Sequence, residues 1–219
     1  MEVEMDDKTL RLDIIDALDW DPSVDSAHIG VAVNKGVAVL SGHVSSYAEK
    51  LAANAIVKRV KGVSAIADEL EVRYASSSAM SDEDIAARAV QVLDWDVLVP
   101  HKRVEVKVSK GWVTLGGEVD WDYQRRAAES DVRKLGGIVG ITNMIKLKTR
   151  VLPADVSQRI EAALKRDAAV EATRVKVSVV DGKVRLDGKV HSYHERDAVE
   201  RAVWAAPGVK AVEDHVVIG

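Results

Sequence analysis

The sequence predicts an α+β protein made of three tandem copies of one small unit. Each copy is a three-stranded mixed sheet with two helices on one face. Three observations carry that reading. The segment KGVAVLSGHV at 35–44 returns as KGWVTLGGEV at 110–119 and as DGKVRLDGKV at 181–190. The offsets, 75 and then 71 residues, hold without a gap from Trp20 to Val72 and through their counterparts, as a repeated structural unit requires. Within every copy the apolar residues run first at helical spacing, then in strict alternation, then at helical spacing again. The copies are placed at residues 1–75, 76–150 and 151–219.

The first helix is read from Leu10, Ile14, Ala17 and Leu18, matched by Ile85, Ala89, Val92 and Leu93, and by Val156, Ile160, Ala163 and Leu164. Their spacing of four, three and one keeps them on one face. Ser81-Asp82-Glu83-Asp84 opens the helix of copy 2 with acids at the positive end of its dipole. Pro153 suits the first turn in copy 3. A strand follows, with Ile29, Val31 and Val33 alternating inward, as do Val104, Val106 and Val108, and Val175, Val177 and Val179. The turns at Gly36, Gly111 and Gly182 fold it into a hairpin.

On the second strand the buried row is Ala38, Leu40, Gly42 and Val44, repeated at Val113, Leu115, Gly117 and Val119 and at Val184, Leu186, Gly188 and Val190. A glycine in such a row predicts close approach of a helix to the sheet, so Gly42, Gly117 and Gly188 are expected to lie buried beneath one. The second helix is read over 46–60 in copy 1, with Ala52, Ala53, Val57 and Val60 facing in. Gly62, Gly137 and Gly208 end it with left-handed geometry. Ile66, Leu70 and Val72 start the third-strand series that closes each unit.

The ending Gly208-Val209-Lys-Ala-Val212-Glu-Asp214, with Gly137-Ile138-Val-Gly-Ile141-Thr-Asn143 and Gly62-Val63-Ser-Ala-Ile66-Ala-Asp68, completes a pattern. With the element order and the paired glycines, it resembles the BON domain, a family named from bacterial osmotically inducible and nodulation proteins. The resemblance covers nearly the whole chain and every matching residue is structural. It implies binding to phospholipid or envelope surfaces and a place in osmotic stress.

Composition narrows the function classes. With 47% hydrophobic and 30% charged residues, the chain is a globular one. It has no cysteine, which excludes disulfides, thiolate metal sites and a cysteine nucleophile. Copy 1 holds 8 basic and 13 acidic residues, copy 2 holds 12 and 11, and copy 3 holds 11 and 11, so no copy has the basic face of a nucleic-acid binder. The acidic start, Met1 to Asp7, has no apolar run behind it. The expectation is a cytoplasmic protein if Met1 is the native start, or a periplasmic one if a signal was removed.

No catalytic set repeats across the copies, so no enzyme activity and no cofactor are expected. His191, His194, Glu195 and Asp197 cluster as weak metal ligands would, but their counterparts differ and a solvated helix start explains them. Asp21, Asp96 and Asp167 repeat just after the first helix, with Trp20 and Trp95 before two of them. A shared ligand or lipid contact is one reading. The favoured one has the acid bonding loop backbone and the indole packed over the helix end.

The outward sheet faces differ. Copy 1 presents Gly30, Ala32, Val37, Val39 and Ala67, a small apolar face expected to be covered by another part of the chain or a second subunit. Copy 2 presents Trp112 and Met144 ringed by Arg103, Lys107, Lys146 and Lys148, suited either to an anionic lipid surface or to acidic copy 1. Copy 3 presents a charged face with Lys176, Lys183, Arg185 and Lys189. Trp204 replaces the basic Lys58 and Arg133 on the second helix and marks a contact with another domain, a subunit or a bilayer. The linkers are read as a flexible 74–80 and a proline-stiffened 149–153. The reading is a non-enzymatic binder of phospholipid or envelope surfaces. The alternatives are a cytoplasmic protein–protein adaptor, which could oligomerise through open sheet faces, and a small-ion sensor using backbone carbonyls.

Overall fold

A computed structural model describes residues 6–74, 80–100, 102–148, 156–167 and 174–218. The central linker residues 75–79, the linker 149–153 and the helix start at Pro153 lie outside the described residues.

Copy 1 runs α1 (Asp7–Trp20), β1 (Ile29–Asn34), β2 (Val37–Val44), α2 (Tyr47–Val57) and β3 (Ala65–Val72). Copy 2 runs α3 (Asp82–Trp95), β4 (Val104–Ser109), β5 (Trp112–Val119), α4 (Asp122–Val132), β6 (Gly140–Asn143) and β7 (Lys146–Leu147). Copy 3 runs α5 (Val156–Arg166), β8 (Val175–Val180), β9 (Lys183–Val190), α6 (Tyr193–Trp204) and β10 (Ala211–Ile218). In every copy the second strand is central. It pairs antiparallel with the first, through a two-residue turn, and parallel with the third, across the second helix.

The hairpin turns place Lys35-Gly36, Lys110-Gly111 and Asp181-Gly182 at positive φ, the geometry of a type I′ connection. The inward rows match the alternation: Ala38, Leu40 and Val44 are buried, as are Val113, Leu115 and Val119, and Val184, Leu186 and Val190. Leu10, Ile14 and Leu18 of α1 are buried too, with Ile85, Ala89 and Leu93 of α3 and Val156, Ile160 and Leu164 of α5. The second helix stops at Val57, Val132 and Trp204, and Gly62, Gly137 and Gly208 follow in the next turn at φ of +96°, +85° and +88°.

The expectation for Gly42, Gly117 and Gly188 is corrected. Gly42 is exposed and the other two are half-buried, so none is sealed beneath a helix. Their φ values are +104°, +99° and +149°, and an added Cβ would stand 2.1 Å from the carbonyl oxygen of His28, Arg103 or Arg174, just ahead of the adjoining strand. The close approach is backbone to backbone along the hairpin.

The chain gathers into two compact units. One comprises Met1–Gly117 with Arg126–Ile145, and the other comprises Glu118–Arg125 with Lys146–Gly219. In the first, the Tyr74 hydroxyl donates to the Ile138 carbonyl at 2.6 Å, tying copy 1 to copy 2. In the second, Leu147 packs against the copy 3 core of Val156, Ile160, Leu186, Val199 and Val203. The third strand of copy 2 is in two pieces: β6 pairs with Trp112–Leu115, and β7 pairs with Glu118 and Val119.

Candidate functional site

The first helices of copies 1 and 2 end alike. Asp96 donates its amide to the Val92 carbonyl at 3.2 Å, then accepts the Leu98 amide on Oδ1 at 2.8 Å and the Val99 amide on its carbonyl at 3.1 Å. In copy 1, Asp21 Oδ1 accepts the Ser23 amide and hydroxyl, and these bonds hold its carboxyl below the usual aspartate range. The acids thus bond loop backbone, as an Asx turn does.

The indoles do not pack over the helix ends. Trp95 is 87% exposed and Trp20 is 89% exposed. The loop geometry explains what accompanies Trp95. Val99 turns into the core, and the tight turn around Asp96 leaves Val97 and Leu98 outside at 95% and 51% exposure. Val90 on α3 is also exposed, and Lys102 lines the same groove as Val90, Val99 and Pro100. Arg88 lines a second groove with Trp95 and Leu135. Copy 2 therefore has an apolar tip flanked by two cations. Copy 1 has Pro22 and Ser23 at the matching loop positions, beside Asp19 and Asp25.

The predicted sheet-face set is divided. Arg103, Lys107, Trp112 and Met144 belong to the first compact unit, Lys146 and Lys148 to the second, and all six are exposed. Trp112 is 48% exposed, and its ring lies across Gly140. Its Nε1 donates to the Thr142 hydroxyl at 2.8 Å, so the indole is laid flat on the sheet. In copy 1 the small apolar face is only partly covered. Val37, Val39 and Ala67 are half-buried while Gly30 and Ala32 are exposed, and His28 and His43 stack at 4.6 Å beyond them. In copy 3, Arg185 pairs with Asp187 and Lys183 with Glu213, as on a solvated face.

Trp204 is 9% exposed. Its Nε1 donates to Glu200 Oε1, and the Arg125 guanidinium of α4 lies 4.4 Å from the ring centroid, with Asp122 bonded to that guanidinium. Within the second unit this tryptophan meets a piece of copy 2, which takes it out of the set open to a bilayer.

Several structural roles escaped the sequence reading although a signal existed. Ser46-x-x-Glu49 and Ser192-x-x-Glu195 are capping boxes: each serine accepts the glutamate amide, and each glutamate turns back, Glu49 to the Ser45 amide and Glu195 to the His191 amide. Burial raises the Glu49 carboxyl, but its donors outweigh burial and hold it low. Asp7 and Asp82, first residues of their helices, accept both amides of the hairpin turns Lys35-Gly36 and Lys110-Gly111. Asp68, Asn143 and Asp214 each accept the amide two residues on, which accounts for the acid or amide ending the repeat motif. In the histidine cluster Glu195 is committed to its cap and His191 faces Arg174 at 2.9 Å. Among the described residues no group of three His, Asp or Glu is arranged to hold a metal ion.

Comparison with known proteins bears on all three copies. The family model for the BON domain matches residues 6–74, 81–149 and 154–219. Osmotically-inducible protein Y of Escherichia coli K12 is 32% identical over 153 residues, covering 66% of this chain and 74% of that protein. Two solved structures of CdsD, a structural protein of the type III secretion system of Chlamydia trachomatis, align at 17% identity and a TM-score of 0.27. One alignment covers 95% of this chain and 91% of the other; the second, to the C-terminal domain, covers 98% and 100%. Likeness at that level carries no argument.

Proposed function

The chain belongs to the BON domain family, and from that premise we propose that it is a non-enzymatic protein that attaches to anionic phospholipid surfaces under osmotic or envelope stress. The observation that carries the reading is the exposed Trp95, Val97 and Leu98 in one loop of copy 2, with Arg88 and Lys102 beside them. An indole and two aliphatic side chains held in water gain about 1.5–3 kcal/mol each on full burial. An interfacial tryptophan is the residue type that settles at headgroup depth. Each flanking cation adds about 1 kcal/mol at an anionic surface. The stress association rests on the name of the osmotically inducible relative.

This places the anchor at the helix end, with Lys107 and Trp112 in a supporting role. Among the described residues no helix is long and apolar enough to cross a membrane, so attachment is peripheral in this reading. Co-sedimentation with phosphatidylglycerol-containing vesicles, against phosphatidylcholine alone, tests it. The protein should sediment with the former, less so as salt rises. Absence of sedimentation at low salt overturns the reading and puts the adaptor function first.

A further inference from the structure

Both junctions between successive copies use the same pair of surfaces. In the first unit, Tyr74, just past β3, donates to the Ile138 carbonyl in the turn after α4. Tyr47, at the start of α2, is half-buried. Burial raises its hydroxyl, as does Glu129 of copy 2, while the Ile141 backbone and Arg133 of copy 2 lower it. In the second unit, Leu147 at the end of β7 packs on the core that includes Trp204 and Val209. Arg125, in the first turn of α4, lies 4.4 Å from the Trp204 ring centroid. The repeat aligns Tyr47 with Asp122, and Arg133 with Trp204. Copies 1 and 2 thus each offer the start of the second helix to the end of the second helix in the next copy. An aromatic ring and a cation stand at both junctions.

Such a contact is heterologous: its two surfaces differ, so copies 1 and 3 each keep one that the other copies have used. In copy 1 it is the end of α2. Lys58 and Gly62 are exposed there, whereas Arg133 is half-buried with its Nε out of water, and Gly137 and Trp204 are buried. In copy 3 it is the outer side of α6, where Glu200 and Arg201 are exposed and their counterparts Asn54 and Ala55 of α2 are half-buried. The two surfaces match in chemistry. Copy 3 repeats the copy 1 pattern, with Tyr193 for Tyr47 and the Arg196–Asp214 ion pair for Lys50–Asp68. Copy 1 repeats the surface that copy 2 offers, with Lys58 for Arg133, Val63 for Ile138 and Ile66 for Ile141.

We propose that the chain binds a second copy of itself head to tail, the start of α6 in one molecule docking on the end of α2 in the next. Such contacts continue into a filament unless their rotation closes them into a ring. The proposal stands apart from the lipid reading, and no lipid enters its test.

Sedimentation of the full chain over a dilution series reads the mass. The parent should reach about twice the mass of one chain or more at high concentration, and return to one chain on dilution. Lys58→Glu alters the exposed end of α2, and Tyr193→Ala removes the ring at the start of α6. Each alone should weaken association about tenfold or more, as loss of a central anchor does. Mixed in equal amounts, the two should form a dimer and nothing longer, because one intact surface of each kind remains to join. Urea midpoints close to the parent's show that each variant is folded. If Tyr193→Ala does not fold, Lys58→Glu added at fixed parent concentration decides. It docks through its own α6, ends the series and should shorten the largest species; an unchanged largest species overturns the proposal. So does a parent that keeps the mass of one chain at every concentration. Association that neither variant weakens removes these surfaces, and an equal mixture that stays monomeric overturns the head-to-tail pairing.

Discussion

Trp95 and Trp204 both close a helix, yet one stands in water and the other is buried. Trp95 ends α3 in a loop whose backbone is satisfied by Asp96, and its side chain projects with Val97 and Leu98. Trp204 ends α6 under the guanidinium of Arg125, with its Nε1 bonded to Glu200. The difference lies in what reaches each indole. Arg125 occupies the position held by Lys50 and Arg196 in the other copies, which pair with Asp68 and Asp214. Copy 2 has the uncharged Asn143 there, and Arg125 pairs with Asp122 against Trp204. One exchange of acid for amide accompanies the conversion of a local ion pair into a clasp on the next copy.

The largest effect is expected from Trp204→Ala. It empties a buried indole site and should cost about 3–5 kcal/mol, read as a lowered urea midpoint of the second unit. Vesicle binding per folded molecule should be unchanged. If binding fell and stability held, the roles assigned to the two tryptophans would be reversed.

Trp95→Ala comes next. The folded state gives little packing to this side chain, so stability should move by less than about 0.5 kcal/mol, as for other surface changes. Loss of the interfacial anchor should weaken vesicle binding about tenfold or more, from the 1.5–3 kcal/mol of a large buried side chain. Co-sedimentation and unfolding on the same preparation separate these readouts. Unchanged binding would remove the tip as the anchor.

These expectations show what the sequence can and cannot reveal. Repeat order, strand alternation and hairpin turns were legible because each is a period or a required turn residue, read three times over. Trp204 stood out because it breaks the basic pattern of its counterparts. Gly42 was misread because a strand glycine signals close approach without saying of what, and the neighbour is the carbonyl of His28. Trp20 and Trp95 were misread because repetition suggests a structural role, while exposure depends on whether another segment covers the ring. Asp131 went unnoticed: acids on a helix usually face water, and only the fold shuts its Oδ2 away from it. The packing of Leu147 on the copy 3 core is likewise a long-range contact with no local mark.

Trp112→Ala tests the middle case. The ring is half exposed but bonded to Thr142 and laid over Gly140. Removing it should lower stability by about 1 kcal/mol, the value of one hydrogen bond and a cross-strand contact. Vesicle binding should fall by less than about threefold, under 1.4 kcal/mol. A loss equal to that of Trp95→Ala would return the anchor to the sheet face.

Trp20→Ala should have the smallest effect and asks whether an exposed indole suffices. Trp20 is as bare as Trp95 and occupies the same repeat position. Its surroundings differ in the two properties a lipid surface selects for. The next side chains are Pro22 and Ser23 in place of Val97 and Leu98, so little apolar area accompanies the ring. Asp19, Asp21 and Asp25 lie close in sequence, and Asp21 is held ionised by its bonds from Ser23. Such charges oppose approach to an anionic surface, where a cation would be drawn in. Binding of Trp20→Ala to phosphatidylglycerol vesicles should therefore stay within about twofold of the parent, well under 1.4 kcal/mol. A tenfold loss would mean that the repeated tryptophan is the determinant, and that copies 1 and 2 insert together regardless of the loop around it.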